Sequence, residues 1–142
     1  MPPCGYPPPP PPPPPPDLPV STFTRDYQAS CEAGYRPRWT FFSWQALIPP
    51  PSTGSIDFKA QTAATVADLD AAPQVGIGTA DTTTTTWTSD PNTVEWHLNN
   101  DIPDNRLTSQ ALLRVSMTFN PDGPVSPVLL DWRQAYDCVP AE

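Results

Sequence analysis

The residues best suited to binding chemistry lie at 99–105, where the sequence reads Asn-Asn-Asp-Ile-Pro-Asp-Asn. Their carboxylate and amide oxygens are the kind of donor that calcium prefers, and calcium takes about six to eight of them. We therefore predict a calcium site built on Asn99, Asp101 and Asp104. The alternative is an ordinary loop, because Asn and Asp are common turn residues.

The same segment also fits a carbohydrate if a tryptophan lies beside it. An aromatic face can stack on a sugar ring while amides and carboxylates bind its hydroxyl groups. The residues of this hypothetical sugar site are Trp87, Trp96, Asn100 and Asn105. The alternative for each tryptophan is packing in the core.

Catalytic motifs are absent from the sequence. His97 is the single histidine, and we read it as a partly exposed residue of a strand at Val94–Leu98, pointing away from Trp96. Neither a GxSxG nor an HExxH motif occurs, and no cysteine pair has metal-site spacing. We therefore expect no enzymatic activity and no cofactor apart from a structural calcium ion.

Two of the three cysteines are predicted to form a disulfide, which leaves one cysteine without a partner in the sandwich. Cys31 and Cys138 lie near the two ends of the folded part. The first and last strands of a β-sandwich are often neighbours, so a disulfide between them is predicted, and two buried thiols in a cytosolic protein are the alternative. Cys4 is then left to pair with another chain or with a part of the protein outside this sequence.

The charge balance argues against several partners. The chain carries 15 acidic and 7 basic residues, a net charge of −8. An acidic surface repels phosphate backbones and anionic lipids, so we expect neither a nucleic acid nor a membrane as partner. Few charges, five tryptophans and many Thr, Ser, Asn and Asp residues favour an extracellular location.

Short apolar-polar alternations separated by turn residues predict an all-β fold. We predict an antiparallel β-sandwich of seven or eight strands over residues 22–142. The one helix-like stretch is Thr65–Ala72, and Asn99–Asn105 and Asn120–Gly123 are predicted loops. The clearest strand segments are Tyr35–Ile48, Ser55–Thr62, Gln74–Thr79, Thr93–Leu98, Ala111–Phe119 and Val128–Cys138.

Alternation also predicts which side chains face the core. Trp39 and Phe41 should share one face of their strand, opposite Phe42 and Trp44. In the other strands the predicted inward residues include Ile56, Phe58, Ala60, Leu113, Val115, Met117, Leu130, Trp132 and Tyr136, with Gln61 outward. The glycines of Gln74–Thr79 predict a bulge or a close approach of the backbone.

Residues 1–21 form a low-complexity arm ahead of the sandwich. It contains ten consecutive prolines, which cannot donate backbone hydrogen bonds and favour a polyproline II rod about 30 Å long. We expect a spacer or packing rod; the alternative is a ligand for SH3-like or WW-like grooves. The arm residues assigned to assembly are Pro7, Pro8, Pro9, Pro10, Pro11, Pro12, Pro13, Pro14, Pro15 and Pro16.

The closing segment contains Leu113-Arg114-Val115, Ser126-Pro127-Val128-Leu129 and Tyr136. These pieces resemble the end of galactose-binding-like jelly-roll domains, and the resemblance implies that the sandwich is jelly-roll-like. Such domains recur in bacterial cell-surface, appendage and tail proteins. The resemblance implies a module that binds sugars, binds calcium structurally, or serves only as a building block, and fold alone does not choose among these.

Two functional hypotheses follow. The first is a non-enzymatic structural subunit or module of an extracellular bacterial appendage or filament, which forms homo-oligomers through the arm. The second is a carbohydrate-binding or adhesion module displayed on a proline stalk. The start of the sequence, which lacks an apolar leader, favours a mature form or a fragment of a longer protein.

Overall fold

The computed structural model describes residues 5, 7–102 and 109–141, and these ranges contain seven strands and two short helices. The elements are β1 (Ser21–Gln28), β2 (Tyr35–Leu47), β3 (Ser55–Ala63), α1 (Val66–Ala71), β4 (Val75–Ala80), β5 (Thr84–Ser89), α2 (Val94–Asn100), β6 (Leu112–Asn120) and β7 (Val128–Pro140).

The described strands form two antiparallel sheets, which confirms the predicted all-β sandwich. One sheet has the order β1-β6-β3-β4 and the other the order β5-β2-β7. Aromatic rings from both sheets meet in the core, where Trp44 of β2 lies 4.8 Å from Phe58 of β3 between ring centroids. The architecture is compatible with a jelly roll.

The centre of the larger sheet follows its sequence pattern closely. Phe58 of β3 is paired with Met117 of β6, and both side chains are buried. Ile56, Ala60, Leu113 and Val115 are also buried, so the predicted inward faces of these two strands are confirmed. Alternation works here because each strand buries one face in the core.

Strand β2 departs from simple alternation, so the prediction that Trp39 and Phe42 face opposite sides was wrong. The pairing of β2 with β7 shifts register between these two residues. A bulge of this kind adds a residue and brings side chains on either side of it onto the same face. Trp39 and Phe42 are both in the buried core cluster, whereas Phe41 is exposed.

Three further inward-outward predictions were wrong. Tyr136 is 39% exposed on edge strand β7, although its ring lies 5.3 Å from that of Trp39. Leu130 is exposed because the register of β2 with β7 shifts there, with Gln45 opposite Asp131 and Ala46 opposite Leu129. Gln61 is buried rather than outward because α1 covers it. Its Nε2 donates a hydrogen bond of 2.6 Å to the Leu69 carbonyl.

The predicted close approach at the β4 glycines is confirmed. The pairing of β3 with β4 is irregular between Phe58 and Lys59, opposite Gly78 and Gly76. Gly78 has a φ of +152°, and a Cβ atom built there would lie 2.8 Å from the Trp44 ring. Glycine is needed because the backbone packs directly on that ring.

Residues 7–20 of the arm are exposed and belong to neither a helix nor a strand. Their polyproline II geometry stays a prediction. The arm joins the head where the Leu18 N–H donates a 2.9 Å hydrogen bond to the Gly123 carbonyl. Within the described part of the chain, neither helix has the length and apolar character to span a membrane.

Candidate functional site

Helix α2 occupies the segment that we predicted as a strand at Thr93–Leu98, so that prediction was wrong. The Thr93 side chain caps the helix by accepting a 3.1 Å hydrogen bond from the Trp96 N–H. Val94 and Leu98, one turn apart, are both buried in the core cluster. Their spacing of four suits a helix as well as an alternating strand, and the N-cap decides between the two.

His97 is buried, so its predicted place as a partly exposed strand residue was also wrong. Its Nε2 lies 2.9 Å from Asp90 Oδ1, and its Nδ1 lies 2.5 Å from Asp101 Oδ2. The imidazole therefore links the loop before α2 to the residue that ends the helix. Because both ring nitrogens are occupied, His97 acts as a structural tie between two carboxylates.

A groove of about 460 Å³ lies on the outer side of α2, and we call it the polar groove. Trp96 and Phe41 contribute exposed rings to it, with 44% and 43% of each residue accessible. The remaining lining is polar or charged and consists of Arg38, Thr40, Thr93, Glu95, Asn99, Asn100 and Asp137.

Two ion pairs hold the charged side chains around this groove in place. Glu95 accepts a 2.6 Å hydrogen bond from Arg36, and Asp137 accepts a 2.8 Å hydrogen bond from Arg38. The bond to Asp137 raises the pKa of the Arg38 guanidinium above its ordinary value. The groove thus presents aromatic faces next to oriented hydrogen-bonding groups.

The predicted binding residues divide between this groove and other places. Asn99 and Asn100 belong to the last turn of α2 rather than to a loop, and Asn100 Nδ2 donates to the Trp96 carbonyl at 2.7 Å. Asp101 caps the helix and pairs with His97. Asp104 and Asn105 lie outside the described residues.

The structure leaves the calcium hypothesis as a prediction. Over residues 5, 7–102 and 109–141, no group of three or more His, Cys, Asp or Glu side chains is arranged to hold a metal ion. Asn99 lines the polar groove, whereas one carboxylate oxygen of Asp101 is hydrogen-bonded to the His97 ring. A site that includes Asp104 would extend beyond the described residues.

Trp87 is separated from the other predicted sugar residues. It lies on edge strand β5, is 38% exposed and does not line the polar groove. The Arg133 guanidinium covers one face of its ring, with Cζ 4.1 Å from the ring centroid. This cation–π contact uses a face that a sugar would need.

The predicted disulfide between Cys31 and Cys138 is present, with 5.7 Å between the Cα atoms. It joins the segment after β1 to the end of β7, although these strands belong to different sheets. Further along the same side, the Phe23 and Trp132 rings meet at 6.1 Å. Cys4 lies outside the described residues.

Beyond those two rings the sheets part and leave a second groove, of about 450 Å³, which we call the apolar groove. Phe23 and Val128 are 49% and 43% exposed in it. Its lining comes from β1, β6, the start of β7 and the turn before β7, and consists of Ser21, Phe23, Met117, Phe119, Ser126, Pro127, Val128, Leu129 and Trp132.

Neither groove was predicted as a whole from the sequence. Strand β1 was not predicted, although Phe23, Arg25 and Tyr27 alternate with Thr24 and Asp26 in a detectable way. Phe41 was predicted to share a face with Trp39, but Trp39 is buried and Phe41 is exposed. Arg38, Glu95 and Asp137 come from three elements distant in sequence, and only the folded topology brings them together.

Comparison with known proteins identifies no relative. No protein-family model matches the chain, no curated protein matches it, and no solved structure matches its fold.

Proposed function

We propose that this protein is a non-enzymatic structural subunit or module of an extracellular bacterial surface appendage or filament, in which the proline arm makes contacts between subunits. The observation that carries the proposal is the position of the arm. An exposed segment, residues 7–20, leaves the head beside the apolar groove. Exposed apolar surface of this kind is typical of interaction sites.

The distribution of exposed apolar side chains supports an interface at this end of the head. Leu18, Val20 and Phe23 are exposed on the arm and β1, and Val125 and Val128 are exposed in the turn before β7 and at the start of β7. Strands β1 and β7 are edge strands of their sheets. Edge strands carry unpaired backbone groups that favour association with another chain.

The disulfide is compatible with an extracellular location, which belongs to the proposal. A bridge spanning 107 residues stabilises the head against unfolding where no reducing system maintains free thiols. A non-enzymatic role agrees with the state of His97. Since Asp90 and Asp101 occupy both ring nitrogens, neither nitrogen is available to activate a nucleophile.

Sedimentation velocity tests the proposal with two forms of the chain under non-reducing conditions. The full chain should form species that grow with concentration, and a chain beginning at Asp17 should remain monomeric while keeping the Leu18–Gly123 contact. A Cys4→Ser variant separates non-covalent assembly from disulfide cross-linking. A full chain that stays monomeric at all concentrations would rule out the structural role.

Carbohydrate binding in the polar groove is the second candidate function. The observation that favours it is the exposed Trp96 ring beside Asn99, Asn100 and the Arg38–Asp137 pair. Aromatic faces together with convergent polar groups are the usual composition of small-ligand sites.

Glycan-array binding followed by calorimetry tests this second function. Trp96→Ala should weaken binding of any glycan found by about tenfold or more, because a stacking face is lost. Trp87→Ala is the matched control, since Trp87 is similarly exposed but lies outside the groove. Equal loss in both variants would exclude the polar groove as the site.

A further inference from the structure

We propose that the apolar groove between β1 and β7 is the receptor for the Pro7–Pro16 rod of a second copy of this chain. The inference rests on the proposed structural function and names the surface that receives the arm. It accounts for two features together: an exposed rod that contacts little of its own head and a groove that the head leaves uncovered.

The chemistry of the groove fits a polyproline rod. Phe23, Phe119 and Trp132 supply aromatic rings, and Pro127 and Val128 complete an apolar wall. Proline-rich segments dock in aromatic-lined grooves because their rings pack on aromatic faces and their backbone is already ordered. The ten prolines carry no charge, so docking removes no charged side chain of the rod from water.

The rod cannot reach the groove of its own head. The hydrogen bond from Leu18 to Gly123 fixes the chain three residues before Ser21, which already forms part of the groove wall. Only Asp17 separates Leu18 from the last proline of the rod. A stiff proline segment cannot reverse direction over one residue, so we infer that the rod does not fold back into the groove of its own head.

The resulting contact joins two different surfaces, the rod of one copy and the groove of the next. A heterologous contact of this kind continues into a filament unless the rotation between copies closes a ring. Because the rod itself lies in the groove of the next copy, only Asp17 lies between the docked rod and the Leu18–Gly123 contact of its own head.

The test uses full-length chains carrying a defect in either half of the contact. The groove variants are Phe23→Asp and, independently, Val128→Asp. The matched control is Leu130→Asp, because Leu130 is 49% exposed on the same strand as Val128 but does not line the groove. The rod variant replaces Pro8, Pro11 and Pro14 with glycine, which keeps the length and removes the stiffness.

Sedimentation velocity of each variant, with circular dichroism to confirm folding, gives the readout. Each groove variant and the rod variant alone should need about tenfold more protein or more to assemble, whereas Leu130→Asp should assemble like the unaltered chain. Mixing a groove variant with the rod variant should give dimers but no longer assemblies. The intact rod of the groove variant can bind the intact groove of the rod variant, and no second contact can form.

The outcomes separate this inference from the proposed function. If the unaltered chain assembles and the rod variant does not, but both groove variants assemble normally, the arm acts in assembly and the apolar groove is not its receptor. If groove variants fail and the mixture gives no dimers, the groove receives something other than the rod, and the inference is overturned. If the unaltered chain never assembles, the proposed function fails as well.

Discussion

The two grooves of this protein differ in chemistry although their volumes are nearly equal, at about 450 and 460 Å³. The apolar groove is walled by rings and by aliphatic side chains from edge strands β1 and β7 and from β6, the neighbour of β1. The polar groove combines two exposed rings with amides and ion pairs around α2. An apolar groove suits an apolar segment of another protein chain, whereas oriented polar groups suit a small ligand with many hydroxyl groups.

The contrast also shows how each surface is held. The walls of the apolar groove belong to different sheets and are joined by the Phe23–Trp132 contact and, at the far end, the disulfide. The polar groove is stabilised by short polar links, above all the His97 tie to Asp90 and Asp101. A perturbation of one set of links should therefore leave the other groove intact.

Removal of the disulfide should have the largest effect and should act on the apolar side. Cys31→Ser combined with Cys138→Ser should lower the free energy of unfolding by about 4 kcal/mol, because the open chain gains loop entropy over 107 residues. Guanidinium denaturation measures the loss. Cys4→Ser, which keeps the bridge, is the control; an equal loss in Cys4→Ser would contradict the account.

A change in the shared core should lower stability without altering either groove. Gly78→Ala should cost about 2–3 kcal/mol, because its Cβ would lie 2.8 Å from the Trp44 ring at a φ of +152°. Thermal unfolding compares it with Gly76→Ala, where a Cβ meets no atom within 4 Å. Similar stability in the two variants would show that the Trp44 ring moves freely.

Loss of the histidine tie should affect the polar groove alone. His97→Ala leaves Asp90 and Asp101 without their shared partner and should cost about 2 kcal/mol of unfolding free energy. Urea denaturation followed by intrinsic tryptophan fluorescence measures the change. Self-association through the apolar groove should persist in this variant, and its disappearance would show that the two grooves are coupled.

Acidification should have the smallest effect, at the surface between β1 and α1. Hydrogen bonds from Arg114 hold the pKa of Asp26 below its ordinary value of 3.8. A lowered carboxyl pKa in the folded state stabilises the fold above that value, and the stabilisation is lost as the pH falls through the folded-state pKa.

For this exposed pair the loss should be less than about 1 kcal/mol. Unfolding measured from pH 6 to pH 2 should show a shallower decline in Asp26→Asn than in the unaltered chain. Identical pH profiles would show that the Arg114 contact contributes nothing to stability.

The parts of the fold that could be predicted are the strands in which apolar and polar residues alternate regularly and only one face is buried. Phe58 and Met117 lie on strands that bury alternate residues, so their positions followed from sequence. Trp39 and Leu130 were misplaced because register shifts depend on the partner strand, which a single sequence does not display.

The candidate site was harder to predict than the core. Helix α2 has seven residues, too few for a helical period to stand out from alternation, and the Thr93 cap was the useful signal. Trp96, Asn99 and Asn100 were predicted as ligands and do line one groove. Arg38 and Phe41 could not be added, because their proximity to α2 is a consequence of tertiary packing.

Electron microscopy of negatively stained protein tests the central claim most directly. The oxidised full chain should be compared with a chain in which the ten prolines of Pro7–Pro16 are replaced by a Gly-Ser segment of equal length. The account predicts filaments or rings with regularly spaced heads from the full chain and single heads from the Gly-Ser chain. Identical images of isolated heads from both chains, or identical assemblies from both, would contradict it.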